Sequence, residues 1–208
     1  MSNDMTASFF EILKFWFDDL NDQSKLEKNP IVKKWFAGGK DFDDEIKRKF
    51  ETDLQKAFRG ELSDWEQGPK GRLALVILFD QFSRNIYRRS PQMFACDAMA
   101  LNLTLRTIHK KIDRELQLVE RAFLYMPLQH SEDIEMQKMS LTYFEKLVHL
   151  SKTKSPINTA YYEHSFSYAK RHHDIVADFG RFPHRNSILQ RESTPEETDF
   201  LKTPGSSF

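Results

Sequence analysis

Positively charged and polar side chains cluster in residues 179–187, FGRFPHRNS, where a glycine and a proline interrupt a helical pattern. Gly180 is typical of the left-handed residue that ends a helix, and Pro183 is typical of the first residue of the next helix. Cations in the first turn of that short helix oppose the helix dipole, whereas free backbone N–H groups beside positive charge favour an anion. The sequence therefore predicts an anion-binding segment. Its candidate ligand residues are Arg181, His184, Arg185 and Asn186.

A second polar segment, DQFSRN at residues 80–85, directly follows seven consecutive apolar residues, 73–79. An apolar run of this kind covers every face of a helix and predicts a central position in the core. The polar groups after it are then partly buried and need partners. Asp80 and Arg84 stand four residues apart, in the favourable order for a helical ion pair. Together with Asn85, they form either a self-satisfied cluster or the polar wall of a cleft.

The third segment is MPLQHSED, residues 126–133. We expect Pro127 to end one helix and Ser131 to cap the next, whose first turn is acidic. This leaves Gln129 and His130 in a loop without a structural reason, and loops on rigid scaffolds often carry binding groups. If a reaction occurs there, His130 and His184 are the candidates for proton transfer, because histidine titrates near neutral pH.

Other reactive residue types give weaker signals. Ser83 lacks the Gly-x-Ser-x-Gly elbow of a serine nucleophile. His164 and His172 do not have a metal-binding spacing, and His172 suits a helix C-terminus as a cation. The single cysteine, Cys96, excludes an intramolecular disulfide and is expected to be a small buried hydrophobic residue. We expect no metal and no cofactor.

Apolar residues recur at helical spacing along the chain, and alternating strand patterns are absent. The fold class is therefore all-α, with about seven main helices joined by short loops in antiparallel hairpins. The main helices are predicted at 8–20, 41–59, 70–88, 91–111, 115–126, 132–150 and 157–178. A capping box at Thr194 opens a last short helix. We expect a single helical domain over 1–208, with 203–208 as a frayed tail.

Lys and Arg together number 31, as do Asp and Glu, so the formal net charge is zero. This balance argues against bulk binding to nucleic acid. The N-terminal segment has no basic stretch before an apolar run, and no window approaches the length of a membrane span. We therefore expect a cytoplasmic protein with no membrane partner.

The motifs FDQFSRNIYR, PLQHSED, HHDIVADFGRFPHRN and STPEETDFL, in this order, resemble the bacterial family catalogued as domain of unknown function 924. The resemblance runs from about Phe15 to Leu201. It implies a tetratricopeptide-repeat-like, right-handed superhelical array of helices and no particular activity. The family pattern generally has proline at Ser83 and glycine at Gln190. The motif positions that carry over are Asp80, Gln81, Arg84, Asn85, Gln129, His130, Glu132, His172, Gly180, Arg181, His184, Arg185 and Asn186.

Two functions remain open. The first is a polar cleft for a small anionic ligand, built where the three segments meet; a reaction there is neither indicated nor excluded. The second is a tetratricopeptide-repeat-like scaffold that binds a peptide or partner protein in a concave groove. The sequence does not determine the oligomeric state.

Overall fold

The computed structural model describes residues 3–207, and all regular structure in that range is helical. Nine helices are present among these residues if 69–86 is counted as one. They are α1 (Asn3–Phe17), α2 (Pro30–Ala37), α3 (Gly39–Phe58), α4 (69–86), α5 (Asp97–His109), α6 (Leu118–Gln129), α7 (Ile134–Lys154), α8 (Thr159–Phe179) and α9 (Pro195–Phe200). The all-α prediction is confirmed.

Helix α4 is the centre of the core, as its apolar run predicts. All seven residues from Leu73 to Phe79 are buried, and α4 packs against α1, α3, α5 and α6. From Ile77 to Phe82 the helix is π-helical, so the Ser83 N–H bonds to the Leu78 carbonyl five residues back. π-helical turns are rare and frequently mark functional sites. This turn sets the direction of the polar residues that follow the apolar run.

The predicted helices at 91–111 and 115–126 have different boundaries in the structure. A 3-10 turn (Pro91–Phe94) precedes α5, which starts at Asp97, where the dipole favours an acid. A second 3-10 turn (Ile112–Glu115) precedes α6, which opens with a capping box between Gln117 and Glu120. Helix α2 was not expected, although Asn29 as N-cap and Pro30 after it are a recognisable start signal.

Helix α6 continues through Pro127 to Gln129, so the expectation that Pro127 ends the helix is wrong. His130 is the C-cap of this helix and its N–H bonds to the Met126 carbonyl, so neither Gln129 nor His130 belongs to an open loop. The cap of α7 is Asp133 rather than Ser131. Its carboxylate accepts from the N–H groups of Glu135 and Met136.

After α8, Gly180 adopts the expected left-handed conformation, with φ of 68°. The segment opened by Pro183 is only a single 3-10 turn, Pro183–Arg185. The capping box of Thr194 with Glu197 is present at α9. The tail expected to fray is held as far as Ser206, which is buried, and Arg171 donates to the Gly205 carbonyl (2.9 Å). Residues 1 and 2 of the expected domain, and residue 208 at the end of the expected tail, lie outside the described residues.

Between residues 3 and 207, no helix combines the length and apolar character needed to cross a bilayer. Most of the buried apolar side chains form one cluster that extends from α1 to α8. A smaller cluster of Ile175, Val176 and Phe182 packs beneath the segment that follows α8. This second cluster fixes the position of the FGRFPHRNS segment relative to α8.

Candidate functional site

Asp80 and His130 form the centre of the candidate site. Asp80 lies in the π-helical turn of α4 with 1% of its surface exposed, and its Oδ1 is 2.7 Å from Nδ1 of His130. Its Oδ2 accepts from Gln81 Nε2 at 2.6 Å. Burial acts to raise the pKa of Asp80, but the neighbouring His130 and Arg84 outweigh it and hold the pKa well below its usual range. An ionised carboxylate only accepts hydrogen bonds, so Nδ1 of His130 is the donor in this contact, and in the neutral tautomer with this donor Nε2 is the proton acceptor.

Arg84 is tied to two acidic residues. Its Nη1 and Nη2 donate to the two oxygens of Asp97 at 2.9 and 3.1 Å, which is a bidentate pair. Nη1 also donates to the Asp80 carbonyl (2.9 Å) and lies 3.6 Å from Oδ1 of Asp80. The expected pair of Asp80 and Arg84 is therefore present, but the main partner of Arg84 is Asp97. Sequence analysis missed Asp97 because it was placed inside a longer predicted helix.

Arg185 lies beside this pair with 7% of its surface exposed. Its guanidinium lies over the rings of Phe94 and Phe182, at 4.7 and 4.5 Å from the ring centres. Nη2 donates to the His130 carbonyl at 2.9 Å, Nη1 is 3.6 Å from Asp97 Oδ2, and Nε has no hydrogen-bond partner. Burial and the nearby Arg84 lower the pKa of Arg185 to about 10. Its charge is therefore only partly compensated.

Two further histidines border the site and are neutral at physiological pH. Burial lowers the pKa of His172 well below its ordinary value, and His172 Nδ1 donates to the Tyr168 carbonyl. Burial and Arg185 lower the pKa of His184 to about 4. These lowered pKa values do not support the cationic roles expected for His172 and His184. A three-residue 3-10 turn also has no appreciable dipole to oppose, so the dipole argument for this segment fails.

The structure brings Asp80, Arg84, His130 and Arg185 together with Asp97, and we call these five residues the central polar site. The rings of His130 and His172 are 5.9 Å apart between centroids, and those of His172 and Phe182 are 5.5 Å apart. The rings of Phe182 and His184 are also 5.5 Å apart between centroids. Gln129 is buried next to His130 in the chain, and its Oε1 has no partner.

Three of the predicted ligand residues instead have protein partners outside this site. Asn85 donates to Asp43 on α3 at 2.7 Å. Arg181 binds Glu197 through Nε and Nη2, at 2.6 and 2.8 Å, and Asn186 Nδ2 donates to the same carboxylate at 3.1 Å. The Arg181 hydrogen bond lowers the pKa of Glu197 to about 2. Arg181 and Asn186 thus anchor the C-terminal segment.

Glu132 and Arg191 hold the segment that carries Arg185. Oε1 of Glu132 accepts the Phe182 N–H at 2.8 Å, and the two carboxylate oxygens accept Arg191 at 2.7 and 2.9 Å. Arg191 also donates to the Phe182 carbonyl at 3.1 Å. Sequence analysis missed Arg191 and Phe94, since neither stands in a segment with an obvious chemical signal.

The other reactive side chains have structural roles. Ser83 Oγ donates to the Phe79 carbonyl at 2.5 Å, inside the helix. Cys96 is buried, as expected, and burial raises the pKa of its thiol to about 11. Across residues 3–207, His, Cys, Asp and Glu side chains form no group of three arranged to hold a metal ion.

The fold and the central polar site define an all-helical protein in which a buried aspartate, a partly exposed histidine and a buried arginine lie together. The family model described as bacterial protein of unknown function (DUF924) matches residues 12–205, and the chain belongs to this family. It is similar to a solved structure of a protein of unknown function from Agrobacterium tumefaciens, with 35% sequence identity and a TM-score of 0.74. The similarity covers 96% of this chain and 99% of that one. No curated protein matches the chain.

Proposed function

We propose that the protein binds a small anionic molecule at the central polar site, with Arg185 as the main anion ligand. The observation that carries this proposal is the incomplete bonding of the Arg185 guanidinium. A buried charged group without full hydrogen bonding is costly, so proteins normally pair such groups. A carboxylate or phosphate group of a ligand supplies the missing acceptors.

The neighbouring acid does not neutralise Arg185 fully. Asp97 gives both of its oxygens to Arg84 in a bidentate pair, and it lies at the longer distance of 3.6 Å from Arg185. Asp80 is similarly committed to His130 and Gln81. A guanidinium has five N–H donors in a planar fork, which suits a carboxylate or phosphate oxygen pair.

His130 is the proton-transfer group of this proposed site. Asp80 fixes the orientation and tautomer of the His130 ring. The His130 carbonyl accepts a hydrogen bond from Arg185, so the imidazole and the guanidinium are held close together. His184 suits this role less, because its lowered pKa makes it a weak base near neutral pH. An anion held by Arg185 would therefore lie beside an oriented imidazole.

The test measures the melting temperature of the protein against increasing concentrations of sulfate, orthophosphate and small carboxylates. We expect a saturable rise for at least one of them, since a ligand at 100 times its Kd stabilises by about 2.7 kcal/mol. Arg185→Met should fold, because Asp97 keeps its bidentate pair with Arg84 when Arg185 is removed, and circular dichroism checks this. The variant should lose the saturable response.

Arg185→Lys keeps a charge at the site and should retain a weakened response, because lysine lacks the planar fork of arginine. Arg106→Met removes an exposed arginine that pairs with Glu66, and it should respond to anions like the wild type. A melting temperature indifferent to every anion, or an unchanged response in Arg185→Met, would refute the proposal.

A second function, peptide binding by a tetratricopeptide-repeat-like superhelix, is favoured by one apolar cavity of about 410 Å³. Leu54, Tyr87 and Cys96 line it together with Phe58, whose surface is 54% exposed. An exposed aromatic side chain at an apolar groove is typical of an interaction site. Phe58→Ser should abolish the capture of peptides from a random library if this function is correct, and Arg185→Met should leave it unchanged.

A further inference from the structure

Basic side chains surround a cavity of about 510 Å³ that lies between the end of α5, the turn Ile112–Glu115, α6 and α7. This volume is within the range of about 300–1,000 Å³ found for small-molecule sites. The basic side chains that line it are Lys111, Arg114, Arg121, Lys146 and Lys154, and we call it the basic cavity.

The charge around this cavity is not balanced. Asp113 is the one acidic residue among the lining residues, which leaves four surplus positive charges in a chain whose formal net charge is zero. None of the five basic side chains forms an ion pair within the described part of the chain. Asp22 interacts electrostatically with Arg121 and Lys154 but is not among the lining residues of the cavity. Like charges gathered around one concave surface focus a positive potential into it.

The walls of the basic cavity are firmly built. Arg121 is buried, and its Nε donates to the Leu116 carbonyl at 3.0 Å. Asp113 is buried and accepts the Tyr125 hydroxyl at 2.6 Å. Buried, bonded groups of this kind keep their positions without a ligand, which lowers the cost of binding.

The rim of the cavity shows two further features. Lys146 lies over the ring of Tyr143, with its Nζ 4.5 Å from the ring centre. The backbone of Lys111 has a φ of 59°, in the left-handed region that residues other than glycine and asparagine rarely adopt. Such backbone conformations cost energy and concentrate at functional sites. Lys111 lies just after α5 and Lys146 lies on α7, so the two lysines reach the cavity from different elements.

We propose that the basic cavity binds a small molecule that carries two phosphate groups. A phosphate group carries about −1.5 to −2 charge at pH 7, so two of them offset the surplus charge of the lining. The separate lysine and arginine side chains match several phosphate oxygens better than one carboxylate. The phosphates are either adjacent, as in a diphosphate, or separated on a sugar, as in a bisphosphate, and the two arms of the test distinguish these forms.

The test is isothermal titration calorimetry of the full chain with inorganic pyrophosphate and, separately, with a hexose bisphosphate. We expect saturable 1:1 binding of at least one of them, at least tenfold tighter than that of orthophosphate, and an affinity that falls with added salt. The tighter of the two identifies the phosphate spacing. If neither binds, the proposal is overturned.

The double variant Lys111→Gln/Lys146→Gln should weaken this binding at least tenfold. Both lysines are exposed, so the fold should be unaffected, and circular dichroism checks this. The matched control Lys152→Gln changes an exposed lysine of α7 outside the cavity lining and should bind like the wild type. Equal affinity of the double variant and the wild type would overturn the assignment.

The basic cavity and the central polar site share no lining residue, so the two proposals fail separately. Arg185→Met should keep the Lys111- and Lys146-dependent binding of the diphosphate or bisphosphate. The double lysine variant should keep the anion response that depends on Arg185. Loss of both responses in Arg185→Met would show that the phosphate compound binds at the central polar site, which would overturn the assignment to the basic cavity.

Discussion

Asp80 Oδ1 and His130 Nδ1 lie 2.7 Å apart and join the π-helical turn of α4 to the C-terminal end of α6. The carboxylate is almost fully buried, whereas the histidine side chain keeps 16% of its surface exposed. This relationship places a buried acid in direct contact with a partly exposed imidazole. The charge of the buried Asp80 carboxylate is stabilised by His130 and Arg84 rather than by water, so the free energy of unfolding depends on these contacts.

Asp80→Ala should therefore destabilise the protein strongly. The change leaves the guanidinium of Arg84 without one of its two acids, and breaking a buried ion pair costs about 3–5 kcal/mol in the free energy of unfolding. Urea denaturation followed by circular dichroism measures this. Asp178→Ala, an exposed position on α8, should change the free energy of unfolding by less than about 0.5 kcal/mol. A similarly small effect of Asp80→Ala would show that the cluster does not stabilise the fold.

The same denaturation curves test the domain organisation. We propose that 1–208 forms one cooperative domain, because α4 packs against helices that precede it and helices that follow it in the chain. Thermal melting should then show one transition, with coincident curves from circular dichroism and tryptophan fluorescence. Two well-separated transitions would contradict this.

Much of the fold is predictable from local pattern. The apolar run 73–79 is buried along its whole length. Apolar residues at helical spacing are also buried on α1 (Ile12, Trp16) and α3 (Phe42, Ile46), whereas Phe58 at the end of α3 is exposed. The short helix α2 and the break before Asp97 escape such an analysis, because a short or irregular helix is defined by packing rather than by its own period.

The candidate site is less predictable, because residue types show which groups need partners but not which partners they find. Asp80, Arg84, His130 and Arg185 were identified from their types and from their places at the ends of elements. Asn85 was assigned to the same site, yet it pairs with Asp43, 42 residues away in sequence. The pairing of Arg84 with Asp97 depends on how the π-helical turn packs against the turn before α5, and a short stretch of sequence carries no information on that packing.

Stability should fall as the pH decreases from about 6.5 towards 4. The pKa values of His172 and His184 lie below the ordinary value of 6.5, so in this range the unfolded chain binds more protons than the folded one. Each histidine contributes at most about 1.4 kcal/mol per pH unit. Urea denaturation between pH 7.5 and 4.5 measures the slope.

His184→Gln should flatten that dependence, and His172→Phe should do so as well. His109→Gln, an exposed position at the end of α5, is the control and should keep the wild-type slope. If stability were constant between pH 6.5 and 4.5, or if both variants kept the full slope, the two histidines would not be buried in the neutral form.

Glu197→Gln should loosen the C-terminal segment. The glutamine keeps the shape of the capping box but loses the charge that binds Arg181 through two hydrogen bonds. Losing hydrogen bonds to a charged partner costs about 1.5–3 kcal/mol. Glu196→Gln, an exposed neighbour, should cost far less. Hydrogen exchange of the amides of 181–201 reports the change locally, and equal protection in the two variants would contradict the anchoring role.

Asp97→Asn should strengthen anion binding at the central polar site, if that proposed function is correct. The amide oxygen can still accept a hydrogen bond from Arg84, but the negative charge 3.6 Å from Arg185 Nη1 is removed. An anionic ligand then no longer competes with the Asp97 carboxylate for Arg185, and a gain of about 1.4 kcal/mol is tenfold in Kd. Calorimetry with the anion that gives the largest melting shift measures this, with Asp174→Asn as an exposed control. The double variant Asp97→Asn/Arg185→Met should not bind, and a weaker affinity in Asp97→Asn would mean that Asp97 positions Arg185 rather than competing for it.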